Sequence, residues 1–138
     1  MSTKWGLTIR GICEFNDKIL LLKIRSHSSH DAEKWEIPGG KVKKSEFFDD
    51  ALKREYAEET GLEIDIKELH AVVRKDYTTC KTKEEIKSIQ LVMNVTCDSD
   101  VVKISREHDD YGWFSLEEID KMIADELLTQ PAIEAFKN

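Results

Sequence analysis

The sequence predicts one α+β domain in which strands predominate ahead of a single well-marked helix. Apolar residues alternate with polar ones from Trp5 to Phe15 and again from Ile89 to Cys97, the period of two expected of half-buried strands. Between these stretches, Phe48, Leu52 and Tyr56 recur at intervals of four, and Gly61 follows as a helix stop. Near the end, Ser115-Leu116-Glu117-Glu118 has the form of a capping box, so helical structure closes the chain.

Taken in order, the first strand runs through Trp5, Leu7, Ile9, Cys13 and Phe15, and Asn16-Asp17 turns it into a second strand over residues 19–24. Residues 26–34 are polar and read as a loop before a short strand at 35–37. Gly39-Gly40 reads as a turn leading to a helix over about residues 47–60, with Ser45 as N-cap and Glu46, Asp49 and Asp50 about its first turn. Leu62, Ile64 and Ile66 resume the strand period, which continues through 69–73. A charge-dense loop at 81–87 leads into the strand of Ile89, Leu91, Met93, Val95 and Cys97. Residues 111–114 form a last strand, and Phe114 and Ile119 staple a helix that ends near Ala124. Pro131 suits the first turn of a short C-terminal helix.

At 138 residues the chain suits one domain, 1–138, with a core that needs no staples. Hydrophobic residues make up 40% and charged residues 36%, without an apolar run of membrane-spanning length or a signal-like start, so a cytoplasmic protein with no membrane partner is expected. Cys13, Cys80 and Cys97 lack metal-ligand spacing and read as reduced, mostly buried thiols. A formal net charge of −7 argues against broad nucleic-acid binding, which needs a basic surface, while leaving room for a small anionic ligand.

The helix over 47–60 carries a conflict that points to chemistry. Glu55 and Glu59 are a like-charge pair one turn apart, and Glu58 and Glu59 stand in the last turn, where the helix dipole disfavours each anion by roughly 0.3–1 kcal/mol. Arg54, four residues before Glu58, can pair with one carboxylate and leaves the others facing one another. A solvated acidic face is the ordinary explanation of such a helix. A divalent cation is the functional one, and clustered carboxylate oxygens suit Mg²⁺ or Mn²⁺.

The spacing decides between the two. Gly40, Glu46, Arg54, Glu55, Glu58, Glu59, Gly61 and Leu62, preceded by Trp35-Glu36-Ile37-Pro38-Gly39, resemble the Nudix box, and the chain resembles MutT-related Nudix hydrolases. Its one departure is Tyr56, where the family usually has an aliphatic residue; tyrosine keeps the apolar role and adds a hydroxyl. The resemblance implies the Nudix fold, a mixed β-sheet sandwiched between α-helices. It also implies hydrolysis of a diphosphate linkage in a nucleoside diphosphate joined to another group.

Carried over residue by residue, Glu55, Glu58 and Glu59 are the expected metal ligands, with the Gly39 or Gly40 carbonyl completing the shell. Arg54 orients them and Glu46 supports the geometry. Glu107, in Ser105-Arg106-Glu107-His108, is a candidate general base from a later loop, while His108 is read as structural. Arg25, at the end of the second strand, and Lys41 are candidate phosphate contacts, and Tyr77 a candidate base-stacking residue.

For substrate, MutT-like cleavage of nucleoside triphosphates to monophosphate and pyrophosphate is the leading expectation. Dinucleoside polyphosphate hydrolysis is the alternative that Tyr77 suggests. ADP-ribose cleavage is disfavoured, since the downstream proline of some such relatives is missing from 74–78. A non-catalytic nucleotide-binding module would be expected to have an eroded box, and an isoprenyl diphosphate isomerase a recognisable cysteine site; neither is present. A small nucleotide is the expected partner, and the protein is expected to be a monomer or homodimer.

Overall fold

A computed structural model describes residues 3–137. Strands β1 (Thr3–Phe15), β2 (Lys18–Ile24), β3 (Trp35–Glu36) and β4 (Gly39–Lys41) precede helix α1 (Phe48–Thr60). Strands β5 (Ile64–Thr78), β6 (Glu85–Cys97) and β7 (His108–Phe114) follow, then α2 (Leu116–Ala124) and α3 (Gln130–Phe136). The expected hairpin is present, its turn made by Asn16 and Asp17 with φ of 52° and 63°. Both residue types tolerate the left-handed region that such a tight turn demands.

The sheet is mixed, in the order β3-β2-β1-β6-β5, with β4 on β1 and β7 on β2. β1 and β6 run parallel over twelve residue pairs, whereas β1 and β2 pair only at their hairpin end, Glu14 with Ile19 and Phe15 with Lys18. Beyond that end β1 takes β4 as its neighbour and β2 takes β3 and β7. The functional candidates collect where the two strands part company.

Each sheet face buries its own core. Leu52 and Tyr56 of α1 pack with Ile9, Cys13, Met93 and Val95 on one side. Ile119 and Met122 of α2 and Ala132 and Ala135 of α3 pack with Ile12, Leu21, Ala71 and Val92 on the other. Alternation along β1 and β6 therefore feeds two cores, and neither strand has a fully solvated face. The helices thus sandwich the sheet, as the resemblance implies. Tyr56 is fully buried, and its hydroxyl donates to the Gly11 carbonyl, so the added polar atom is satisfied inside the core.

Several local expectations change. Gly39-Gly40 is strand β4 instead of a turn, because both residues pair with β1. Phe47 occupies the N-cap of α1 without a side-chain cap, in place of Ser45. The cause is Glu46, whose carboxylate accepts from the Lys43 amide at 2.8 Å and from Arg54 at 2.7 Å, fixing a turn over 43–46 that delays the helix. Phe48 is 38% exposed, so the apolar stripe of α1 is firm only from Leu52 onward. The strand after α1 reaches Thr78 and β6 starts at Glu85, which shortens the expected loop. Cys13 is buried, Cys97 half-buried and Cys80 exposed; all three are free thiols. The Gly61 stop (φ 74°), the Ser115–Glu118 capping box and Pro131 in the first turn of α3 are as expected.

Candidate active site

β4 sets the acidic face of α1 in place. Gly39 and Gly40 lie opposite Arg10 and Ile9 of β1, with α1 against their other side. The Gly39 amide donates to Glu59 Oε1 at 3.0 Å. A Cβ on Gly40 would run into the Glu55 carboxylate, and one on Gly39 (φ 155°) into the Ile9 carbonyl. Two successive strand residues thus meet two carboxylates one helical turn apart, which only side-chain-free backbone permits.

Arg54 does more than the single pairing expected of it. Its guanidinium reaches Glu46 at 2.7 Å, Glu55 at 3.0 Å and Glu58 at 3.2 Å, and donates to the Lys41 carbonyl at 3.2 Å. Five N–H donors in a rigid fork make this sharing geometrically feasible, where a lysine would serve as a point charge. The Arg54 hydrogen bonds, with the Lys43 amide, hold the Glu46 carboxyl down to about 2. Burial pushes Glu55 upward against the pull of Arg54. The Glu58 side chain stays 57% exposed at the rim.

Glu59 has no ion pair with Arg54. It is 4% exposed, and burial, with the nearby Glu36 charge, pushes its carboxyl up to about 9, while the Gly39 amide and Arg10 pull the other way. Its oxygen lies within 4.8 Å of ligand atoms of Glu107 and His108. His108 is buried, and its Nε2 meets Glu36 Oε2 at 2.7 Å, in keeping with the structural reading. Its Nδ1 is buried with no hydrogen-bond partner among the described residues. Glu36 also faces Arg10 at 3.5 Å, and although burial opposes ionisation, Arg10 and His108 together bring its pKa below the usual carboxylate value.

The carboxylate oxygens of Glu59 and Glu107, brought close together, fit a hard divalent cation, whereas the His108 imidazole beside them is a softer donor. Glu59 and Glu107 are brought together, whereas Glu55, one turn before Glu59, and Glu58, on the neighbouring flank, are gathered on Arg54. Mg²⁺ or Mn²⁺ suits such hard ligands.

The substrate candidates divide between two adjoining hollows. Arg25 is exposed just past β2 and lines a hollow of about 390 Å³ with Glu36, Glu107 and His108. Lys41 and Tyr77 line a cleft of about 420 Å³ beside Gly40, with the Lys41 ammonium 5.5 Å from the Tyr77 ring centre. Arg10, His30 and Asp31 line both hollows, so the two adjoin and together form the candidate groove, with Tyr77 in one and Glu107 in the other.

Arg10, Glu36 and Gln90 take part in this groove without having been singled out from the sequence. Arg10 Nε donates to Gln90 Oε1 at 2.8 Å and Nη1 to the Ile37 carbonyl at 2.8 Å. The available signal was polar residues inside apolar strands, Arg10 between Ile9 and Gly11 and Gln90 between Ile89 and Leu91.

Comparison with known proteins bears on the family and the fold. The NUDIX domain family model matches residues 6–136. Nucleoside triphosphatase NudI of Escherichia coli K12 is 32% identical over 105 residues, covering 72% of this chain and 74% of that protein. The crystal structure of a MutT protein from Methanosarcina mazei Go1 superposes with a TM-score of 0.79 at 27% identity, covering 99% of this chain and 94% of the other. A MutT NUDIX hydrolase from Burkholderia pseudomallei gives 0.77 at 24% identity, with 96% of each chain covered, a likeness of fold. The fold and acidic groove define a phosphoanhydride hydrolase. The chain belongs to the NUDIX family, as a MutT-related Nudix hydrolase.

Proposed function

We propose that the protein hydrolyses nucleoside triphosphates to nucleoside monophosphate and pyrophosphate, with Mg²⁺ or Mn²⁺ held by Glu55, Glu58 and Glu59 and the backbone of Gly39 or Gly40. The supporting observation is the adjacency of two hollows, one beside the acid cluster of Glu59 and Glu107 and the other a cleft of nucleotide size lined by Lys41 and Tyr77. The activity of the NudI relative favours the triphosphate among the phosphoanhydrides.

When bound, a divalent ion neutralises phosphate oxygens and lowers the pKa of a coordinated water. The remaining work falls to this chain's own groups. Arg54 holds Glu46, Glu55 and Glu58 in one arrangement, so these carboxylates need little reordering before reaction. Glu107, at the mouth beside Glu59, is placed to accept a proton from the attacking water. Arg25 lines one hollow and Lys41 the other, and from there they would balance charge on the polyphosphate. Tyr77, half-buried in the cleft with the Lys41 ammonium over its ring, would offer an aromatic surface to a base.

The test is product analysis with each nucleoside triphosphate, with added Mg²⁺, added Mn²⁺ or excess EDTA. Monophosphate and pyrophosphate in equal amounts, abolished by EDTA, are expected. Full turnover in excess EDTA would remove the metal-based mechanism, and release of inorganic phosphate with a nucleoside diphosphate would overturn the cleavage position.

A further inference from the structure

The floor of the 420 Å³ cleft is built from two neighbouring strands. Thr8 and Gln90 are register partners across β1 and β6, and Ser88 lies two residues before Gln90 on the same face. These three residues are 8%, 5% and 3% exposed, yet the Thr8 hydroxyl, the Ser88 hydroxyl and the Gln90 amide nitrogen have no protein partner among the described residues. Among the described residues only His108 Nδ1 is a fully buried side-chain atom without a partner, so these three polar atoms reach the cleft surface and are open to hydrogen bonding by whatever fills it.

The orientation of the Gln90 amide follows from chemistry. An amide can ordinarily be turned either way, since oxygen and nitrogen are similar in shape. Arg10 removes that freedom because a guanidinium only donates, so the group it meets at 2.8 Å is the amide oxygen. Arg10 is held in turn by the Ile37 carbonyl at 2.8 Å and by Glu36 at 3.5 Å. The Gln90 nitrogen is therefore presented as a fixed donor.

We infer that this floor reads the exocyclic carbonyl of a nucleobase, O4 of uracil or thymine or O6 of guanine, through the Gln90 amide nitrogen. The inference rests on the proposed function, in which the phosphates lie beside Gly40 and the box and the base therefore occupies the cleft. Glutamine's usual bidentate pairing with adenine needs the amide oxygen and nitrogen together, and here Arg10 takes up one acceptor site of that oxygen while, among the described residues, the nitrogen is the amide's fully free group. The amino groups of cytosine and adenine would meet the Gln90 nitrogen donor to donor. Arg10 acts through Gln90 as a positioning residue.

The experiment compares kcat/KM for UTP against CTP and for GTP against ATP, and binding of UMP against CMP by calorimetry. Within each pair the ratio does not depend on the fraction of protein correctly folded. The wild type is expected to favour the carbonyl base by about tenfold or more, the size of one hydrogen-bond difference in a polar site. Gln90→Glu turns the donor into an acceptor and is expected to abolish or invert the ratio, while Gln90→Met, which offers neither, brings it near one.

Equal handling of UTP and CTP by the wild type, or a ratio that survives both substitutions, overturns the inference. If UMP outbinds CMP and Gln90→Glu reverses this while no triphosphate is cleaved, the cleft reading stands and the proposed function fails. Cleavage that ignores the base has the opposite meaning.

Discussion

Replacing Glu59 by glutamine in the metal-free protein tests the central feature of the site, a carboxylate buried beside other acids. The Glu59 carboxyl is pushed up from 4.5 to about 9, first by burial and then by the Glu36 charge. A carboxyl whose folded pKa lies above its unfolded value contributes stability that is complete below the unfolded pKa. That contribution is lost as pH rises toward the folded pKa, here across roughly pH 4.5 to 9. At pH 7 the loss approaches 2.5 pH units, about 3 kcal/mol as an upper bound. Glutamine removes the titration and keeps an oxygen for the Gly39 amide.

Urea denaturation of EDTA-treated wild type and Glu59→Gln, at about pH 5 and pH 8, reads the difference. The wild type should weaken between the two pH values, and the variant should change less and be the more stable at pH 8. Added Mg²⁺ should stabilise the wild type more than the variant. If metal-free Glu59→Gln is strongly destabilised at pH 8, the ionised carboxylate is a structural hydrogen-bond acceptor and the argument from crowding is wrong.

Two further outcomes follow from the same geometry. Glu58→Gln should lower kcat for every substrate, whereas Tyr77→Ala should chiefly raise KM by tenfold or more where the base stacks, the equivalent of roughly 1–3 kcal/mol; steady-state kinetics on two nucleotides differing in base separates these effects, and unchanged constants in Tyr77→Ala would make Tyr77 a packing residue. Tyr56→Phe should cost about 1 kcal/mol in denaturant titration without changing KM, since its hydroxyl bonds the Gly11 carbonyl inside the core; an unchanged stability would show that hydrogen bond to be worth nothing net.

What the chain determined by itself is local. The spacing from Gly40 to Leu62 places three glutamates and an arginine on one helix, and helical geometry alone decides which of them share a face. Turn and cap residues such as Asn16-Asp17, Gly61, Ser115 and Pro131 likewise act within a few residues of themselves, so their positions were legible.

The misread parts depend on distant partners. Gly39-Gly40 looks like a turn until β1 pairs with it, and the start of α1 shifts because Arg54 draws Glu46 away from the helix entrance. Arg10 and Gln90 are 80 residues apart, and Glu36 and His108 are 72 apart. Period-two alternation marks their positions as a polar face, which in an open sheet would be solvent. Here His30 and Asp31 of the loop after β2, Gly40 and Lys41 of β4, and Lys75 and Tyr77 of β5 stand around them, and only that tertiary fact turns the polar positions of β1 and β6 into the floor of a cleft.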